Sequence, residues 1–190
     1  MKPSGVILAA GLSRRMGFPK ALLRWDGETY LDRLIRLFGL ACADVTVVLR
    51  PGGEERLGEC ARLRECRVVF NPDAERGQLS SLQTGLAAVP EAGAVLFSPV
   101  DYAHVQEETV RLAAAGGEEM IVQPSYRGEH GHPVWVRRAV ADALLAVPAD
   151  GAARDVVRRY RRRFIEVDDA GVVMDADDPA AYAAVREKLR

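Results

Sequence analysis

The segment Leu8-Ala9-Ala10-Gly11-Leu12-Ser13-Arg14-Arg15-Met16-Gly17-Phe18-Pro19-Lys20 carries the clearest chemical signal in this chain. Glycine lets a backbone approach an anion closely and turn its N–H groups toward it. Arg14, Arg15 and Lys20 can neutralise the charge that remains, arginine as a planar fork and lysine as a point charge. The chemistry this combination suits is polyphosphate binding. It is not a P-loop, which needs four residues between its glycines and Lys-Ser/Thr directly after the second; here five intervene, and Phe18-Pro19 precede Lys20. Nor does it contain GxGxxG. A solvated basic loop is the plain alternative. Its position after the apolar run Val6–Ala10 favours a ligand site, because open α/β sheets bind ligands beyond the carboxyl ends of their strands.

Carboxylates are the second requirement of such chemistry. Phosphoryl-type transfer needs a divalent ion to offset charge on the leaving pyrophosphate. Magnesium takes oxygen ligands, usually with only one or two carboxylates among them. Asp101 follows the apolar run Leu96–Val100, at the end of an expected central strand. It could instead cap a helix starting near His104. Near the C-terminus, Met174–Tyr182 contains Asp175, Asp177 and Asp178, and Asp177 or Asp178 could cap a last helix that has Pro179 at its first position. Asp168-Asp169 is a further acidic pair. Ser80 or Ser81 reads as the N-cap of a helix after Asn71-Pro72 and Gly77, and a helix start offers unpaired N–H groups. His130 and His132 invite a metal reading, but two histidines two apart make a weak site. The run Arg158–Arg163 reads as the solvated face of a helix whose apolar stripe is Ala153, Val156, Val157 and Tyr160.

These groups must be positioned by an alternating pattern of elements. Val6–Ala10, Val45–Leu49, Val68–Phe70 and Ala94–Pro99 are short apolar runs, and Leu31/Leu34/Ile35/Phe38 and Leu82/Leu86/Val89 keep helical spacing between them. Such alternation predicts a three-layer α/β/α fold with a mostly parallel sheet covered on both faces. In the last third, Met120–Gln123, Val134–Val136, Ile165–Val167 and Val172–Met174 read as strands and Asp178–Leu189 as a closing helix. No linker interrupts the 190 residues, so one domain, 1–190, is expected.

The charged fraction of 28% and hydrophobic fraction of 48% are those of a soluble globular protein. A net charge of -1 provides no global field for nucleic acid. Cys42, Cys60 and Cys66 form no CxxC pair; Cys42 and Cys60 read as small buried thiols in apolar helical stretches, which suits a reducing compartment. The first apolar run is too short for a signal segment or membrane span, so a cytoplasmic protein with no membrane partner is expected.

The first loop closely resembles the signature of the molybdenum cofactor nucleotidyltransferases, especially the CTP:molybdopterin cytidylyltransferases. It is less similar to the guanylyltransferases, which usually carry Gly-Gly at Ala10-Gly11 and Asp-Lys at Pro19-Lys20. The resemblance runs from about Val6 to Tyr182 and implies the Rossmann-like, glycosyltransferase-A-like nucleotidyltransferase fold, with 1–103 as a nucleotide-binding half and 104–190 as an acceptor-binding half. It implies that Leu8, Ala9, Ala10, Gly11, Leu12 and Ser13 meet the nucleotide, and that Arg15 and Lys20 hold the triphosphate. Asn71, Gly77, Ser80 and Ser81 match the turn that closes over the base. Asp101 falls on the principal Mg2+ ligand, and Asp175 and Asp177 align with the aspartates of the closing motif; Asp177 is carried as the second metal residue.

Tyr102, His132 and Arg154 fall where the family meets its acceptor, although Val100-Asp101-Tyr102-Ala103 departs from the usual Gly-Asp-x-Pro. The implied reaction is magnesium-dependent transfer of a nucleoside monophosphate, CMP from CTP first, to molybdopterin phosphate, with Lys20, Arg15 and Asp101 as the catalytic set. A molybdoenzyme is a further partner that the resemblance allows. The alternatives are a transferase for another phosphorylated acceptor, such as a sugar phosphate or methylerythritol phosphate, and a non-catalytic cofactor-binding chaperone.

Overall fold

The computed structural model describes residues 1–189. Its strands are β1 (Ser4–Leu8), β2 (Arg24–Trp25), β3 (Glu28–Thr29), β4 (Val45–Leu49), β5 (Arg67–Phe70), β6 (Ala94–Pro99), β7 (Ile121–Tyr126), β8 (Glu129–His130), β9 (Val134–Arg137) and β10 (Arg162–Glu166). Its α-helices are α1 (Tyr30–Ala41), α2 (Gly53–Arg56), α3 (Gln78–Ala87), α4 (Glu107–Ala114), α5 (Arg138–Leu145), α6 (Ala153–Val157) and α7 (Pro179–Lys188). The main sheet has the order β10-β7-β9-β6-β1-β4-β5, with β8 paired to β7, while β2 and β3 form a separate ribbon. β1 pairs parallel with both β4 and β6. Among the described residues of the main sheet, β9 and the short β8 are the strands that run antiparallel to their neighbours.

Strand alternation divides the core. Ile7, Val47 and Leu49 face one side, against Tyr30, Leu31, Leu34 and Phe38 of α1 and Val110 of α4. Val6, Leu8 and Val48 face the other, against Leu82 and Leu86 of α3 and Val140 and Leu144 of α5. Both faces are covered, which is why the central strands read as unbroken apolar runs rather than alternating ones. Helix α3 comes very close to the sheet at Gly85: a Cβ there would lie 2.4 Å from Val6 Cγ1. Because α3 begins beside the end of β1, this close approach fixes where the Gly77–Ser81 turn stands.

Several expectations change in the last third. Val172–Met174 is not a strand: Asp169 Oδ1 accepts a hydrogen bond from Gly171 N–H, 2.9 Å, and turns Ala170–Val172 into a short 3-10 helix. The strand expected at Ile165–Val167 lies at Arg162–Glu166 instead. It takes in Arg162 and Arg163, so the arginine run is not a helical face. Helix α6 ends at Val157, and the run crosses a turn into an edge strand. Charge on an edge strand discourages pairing with another copy. Cys42 stands just past the end of α1 and Cys60 between α2 and a 3-10 turn, so neither is helical, but both are buried. Among the described residues, no helix is long and apolar enough to cross a membrane.

Candidate active site

A cavity of about 540 Å³ opens where β1, β4 and β6 end. Leu8 to Ser13, Arg15, Lys20, Gly77, Ser81, Asp101 and Asp177 all line it. The first loop leaves β1 after Ala9 N–H donates to Val48 O, 2.9 Å. Ser13 adopts φ 50°, a left-handed conformation uncommon for a non-glycine residue. Its hydroxyl accepts a hydrogen bond from the Lys20 N–H, 3.2 Å, and its carbonyl one from Gly17 N–H, 3.0 Å. The loop therefore folds back on itself, and Lys20 emerges at the start of a 3-10 turn, Lys20–Leu22, whose Ala21 and Leu22 are buried in the core. This anchoring directs the lysine inward.

The Lys20 ammonium lies between two carboxylates from distant parts of the chain. It donates to Asp101 Oδ2 at 2.9 Å and also to Asp177 Oδ1. The Arg15 guanidinium donates to the other oxygen of Asp177. Lys20 and Asp101 side chains are only 13% and 17% exposed, Asp177 is 31% exposed and Arg15 reaches out at 69%. Burial alone would lower the Lys20 pKa, but the Asp101 charge and hydrogen bonds to both aspartates outweigh it and hold the ammonium above the ordinary lysine range. Hydrogen bonding from Lys20, followed by the charges of Lys20 and Arg15, keeps Asp177 below the usual carboxylate range despite some burial. Asp175, next to this cluster, is pushed up by burial and then by the charges of Asp177 and Asp101.

The local structure also decides between the capping and site readings of the acidic residues. Asp101 sits in the 3-10 turn Val100–Tyr102 directly after β6, and it caps no helix; α4 starts at Glu107, with Gln106 as its N-cap. Asp178 caps α7, accepting from Ala181 N–H at 2.8 Å with Pro179 next to it, which leaves Asp177 free to face the cavity. Asp169 is a structural residue: its carboxylate accepts from Gln106 N–H, Thr109 Oγ1 and Gly171 N–H, so it has no role in the cavity. Among the described residues, no group of three His, Cys, Asp or Glu is arranged to hold a metal. A two-carboxylate site remains open to magnesium, and it fits: Asp101 Oδ1 is buried with no hydrogen-bond partner.

On the opposite wall the expectations are corrected in detail. Gly77, not a serine, is the N-cap of α3, with φ 102°. Ser80 lies in the first turn, donating to the Asp73 and Gly77 carbonyls at 2.9 and 2.8 Å. Asn71 is buried behind the cavity, and its amide donates to the hydroxyls of Ser80 and Ser81 at 2.9 and 3.0 Å. Asn71 and Ser80 thus hold the turn in place, and only Gly77 and Ser81 of the group reach the cavity surface. The sequence reading passes over Arg50 and Arg56, which also line the cavity. Arg50 directly follows β4, so the strand-end rule applied to Val45–Leu49 finds it.

Tyr102, His132 and Arg154 do not line this cavity. The rings of Tyr102 and His132 pack together with centroids 4.6 Å apart, and Phe97 lies 6.1 Å from His132. Burial pushes the Tyr102 phenol up to about 12, helped by the charge of Asp101. Burial likewise pushes the His132 imidazole down to about 4, against the pull of Asp101, so the ring is neutral near pH 7. His130 stacks on Phe164 at 3.6 Å and does not join His132 in a metal site. Arg154 is exposed on α6, with no carboxylate at ion-pair distance among the described residues.

Residues 5–164 match the family model described as the MobA-like NTP transferase domain. The molybdenum cofactor cytidylyltransferase of Escherichia coli K12 is 25% identical over 183 residues, covering 96% of this chain and 95% of that protein. A probable molybdenum cofactor guanylyltransferase of Bacillus licheniformis is 31% identical over 170 residues, covering 88% and 72%. The solved structure of Rv0371c from Mycobacterium tuberculosis H37Rv in complex with manganese superimposes with a TM-score of 0.82 at 27% identity, over 99% of this chain and all of that one.

Proposed function

Because the chain belongs to the MobA-like NTP transferase family and is a nucleotidyltransferase, we propose that it transfers CMP from CTP to the phosphate of a molybdopterin-type acceptor. The observation that carries this reading is the Lys20 ammonium between Asp101 and Asp177 at the floor of the cavity. Without nucleotide, the two carboxylates and the two cations Arg15 and Lys20 compensate one another. A triphosphate competes for both cations, so Lys20 and Arg15 turn from Asp177 to the phosphates. Asp101 and Asp177 would then hold a magnesium ion, whose charge offsets that developing on pyrophosphate.

The acceptor phosphate oxygen attacks the α-phosphorus in line. An O–P bond forms to the α-phosphorus, the bond to the β-phosphate oxygen breaks, and pyrophosphate departs with the electron pair. Lys20 and Arg15 steady the phosphates during this exchange, and backbone N–H groups around Ala10–Leu12 orient base and ribose. No covalent enzyme intermediate is needed, since positioning and electrostatics supply the catalysis. Tyr102 and His132 form a neutral aromatic wall on the acceptor side, with Arg154 available to an anionic group. The nucleotide is assigned to residues 1–103 and the acceptor to 104–190 of one domain, with Asp177 crossing back to the nucleotide. Free cysteines suit a reducing, cytoplasmic setting.

The reading as a non-catalytic chaperone is set aside, since the chain is an enzyme of this family. The choice of CTP rests on Ala10 and Pro19, and it is tested by pyrophosphate release with CTP, GTP, ATP and UTP in turn, each with magnesium and molybdopterin. CTP is expected to exceed GTP by at least about tenfold in kcat/KM, about 1.4 kcal/mol of discrimination. Equal or better use of GTP would overturn the choice of nucleotide.

A further inference from the structure

Residues 174–177, which carry Asp175 and Asp177, lie between a 3-10 turn and helix α7 and have no regular structure. Val173 N–H still bonds to Ala170 O, and Asp178 already caps α7. Among the described residues, one hydrogen bond alone reaches the backbone of 174–177: His104 Nε2 to the Met174 carbonyl. His104 stands three residues after Asp101, just past the turn that presents it. Met174 immediately precedes Asp175. The bond therefore joins the two aspartate-bearing segments at a point close to both.

We propose that His104 is a positioning residue, setting the Asp175–Asp177 segment against Asp101 so that both carboxylates face one cation. The inference rests on the reading of Asp101 and Asp177 as the metal-holding pair. A carbonyl acceptor requires the proton on Nε2, which leaves Nδ1 bare, and Nδ1 is buried without a partner. The ring is held at 6.0 Å from both Trp25 and Tyr30. The contact is tight on its far side too: a Cβ on Gly171 would lie 2.9 Å from the His104 carbonyl oxygen. Asp169 joins the same two stretches by linking Gln106 and Thr109 to Gly171, but along the chain Gly171 stands further from Asp177 than Met174 does. A rigid hinge at His104 explains how an irregular segment can supply a carboxylate oxygen to Lys20, 157 residues away in sequence. Groups that orient metal-holding side chains typically change metal affinity or activity by about 10–100-fold when removed.

The experiment compares His104→Phe, which keeps an aromatic ring but cannot donate, with His104→Gln, whose amide can. Mn2+ is titrated in the presence of CTP without acceptor and followed by the electron paramagnetic resonance of free Mn2+; kcat and the KM for CTP are measured separately. H104F is expected to weaken Mn2+ binding at least about tenfold and lower kcat about 10–100-fold, with KM for CTP within about threefold. H104Q should recover most of both losses. Should H104F not fold, H104M carries the same expectation. Wild-type Mn2+ binding in H104F, or equal losses in H104F and H104Q, would overturn the positioning role. Asp101→Asn is the control: if it weakens Mn2+ binding and H104F does not, only the His104 inference falls, whereas unaltered binding in D101N removes the metal reading beneath it.

Discussion

Asp101→Asn is expected to lower kcat by about 10³-fold, about 4 kcal/mol of transition-state stabilisation, while circular dichroism and thermal unfolding remain close to wild type. The size follows from position. Asp101 is presented directly from the end of β6, the strand paired with β1, and one of its oxygens is buried with no partner inside the protein. An amide occupies the same volume but removes the charge that a cation and Lys20 both require. The core is untouched, because the side chain borders the cavity rather than the packed layers. Activity within tenfold of wild type would mean that the carboxylate at this strand end does not take part in transfer.

Lys20→Met should lower kcat/KM about 10²–10³-fold, the loss seen when one preorganised donor to developing charge is removed. A second consequence separates this account from a purely structural role for Lys20. In the nucleotide-free protein the ammonium compensates Asp101 and Asp177, which are largely withdrawn from water. Its removal leaves two neighbouring carboxylates with Arg15 as their nearest cation, so Mn2+ should bind the nucleotide-free variant more tightly than wild type, by at least about threefold. Slower transfer combined with tighter cation binding is expected. Weaker cation binding in K20M would contradict the exchange of Lys20 between carboxylates and phosphates.

The first half of the fold was legible because its signals are local. Val45–Leu49 and Ala94–Pro99 became strands with the boundaries expected of them, and the loop between Gly11 and Lys20 stood where the strand-end rule located it. The last third was harder to read because its chain direction is set by side-chain anchors rather than by periodicity. Asp169 ties Gly171 to the start of α4, which makes Val172–Met174 a turn although its residues favour strand. The arginine run continued the spacing of α6, yet pairing with β7 drew Arg162 and Arg163 into a strand. Such long-range pairings leave no trace in local spacing.

The site shows the same division. Residues on one continuous segment, Leu8 to Ser13, reached the cavity together. Asn71 and Ser80 had the right place in the chain but serve one another, because an amide and a hydroxyl behind a helix start satisfy each other before any ligand. The choice between Asp177 and Asp178 could not be made from sequence, since either could cap a helix opened by Pro179. The geometry assigns the cap to Asp178 and turns Asp177 toward Lys20. His104 offered no signal at all: its role depends on a carbonyl 70 residues away.

The most direct measurement of the central claim is label transfer from CTP carrying 32P at the α-phosphate, incubated with the protein, magnesium and molybdopterin. The account predicts that the label appears in a pterin cytosine dinucleotide, with one unlabelled pyrophosphate released per product and none retained covalently on the protein. Binding of CTP with no label transferred to this acceptor, or label remaining attached to the protein, would contradict it.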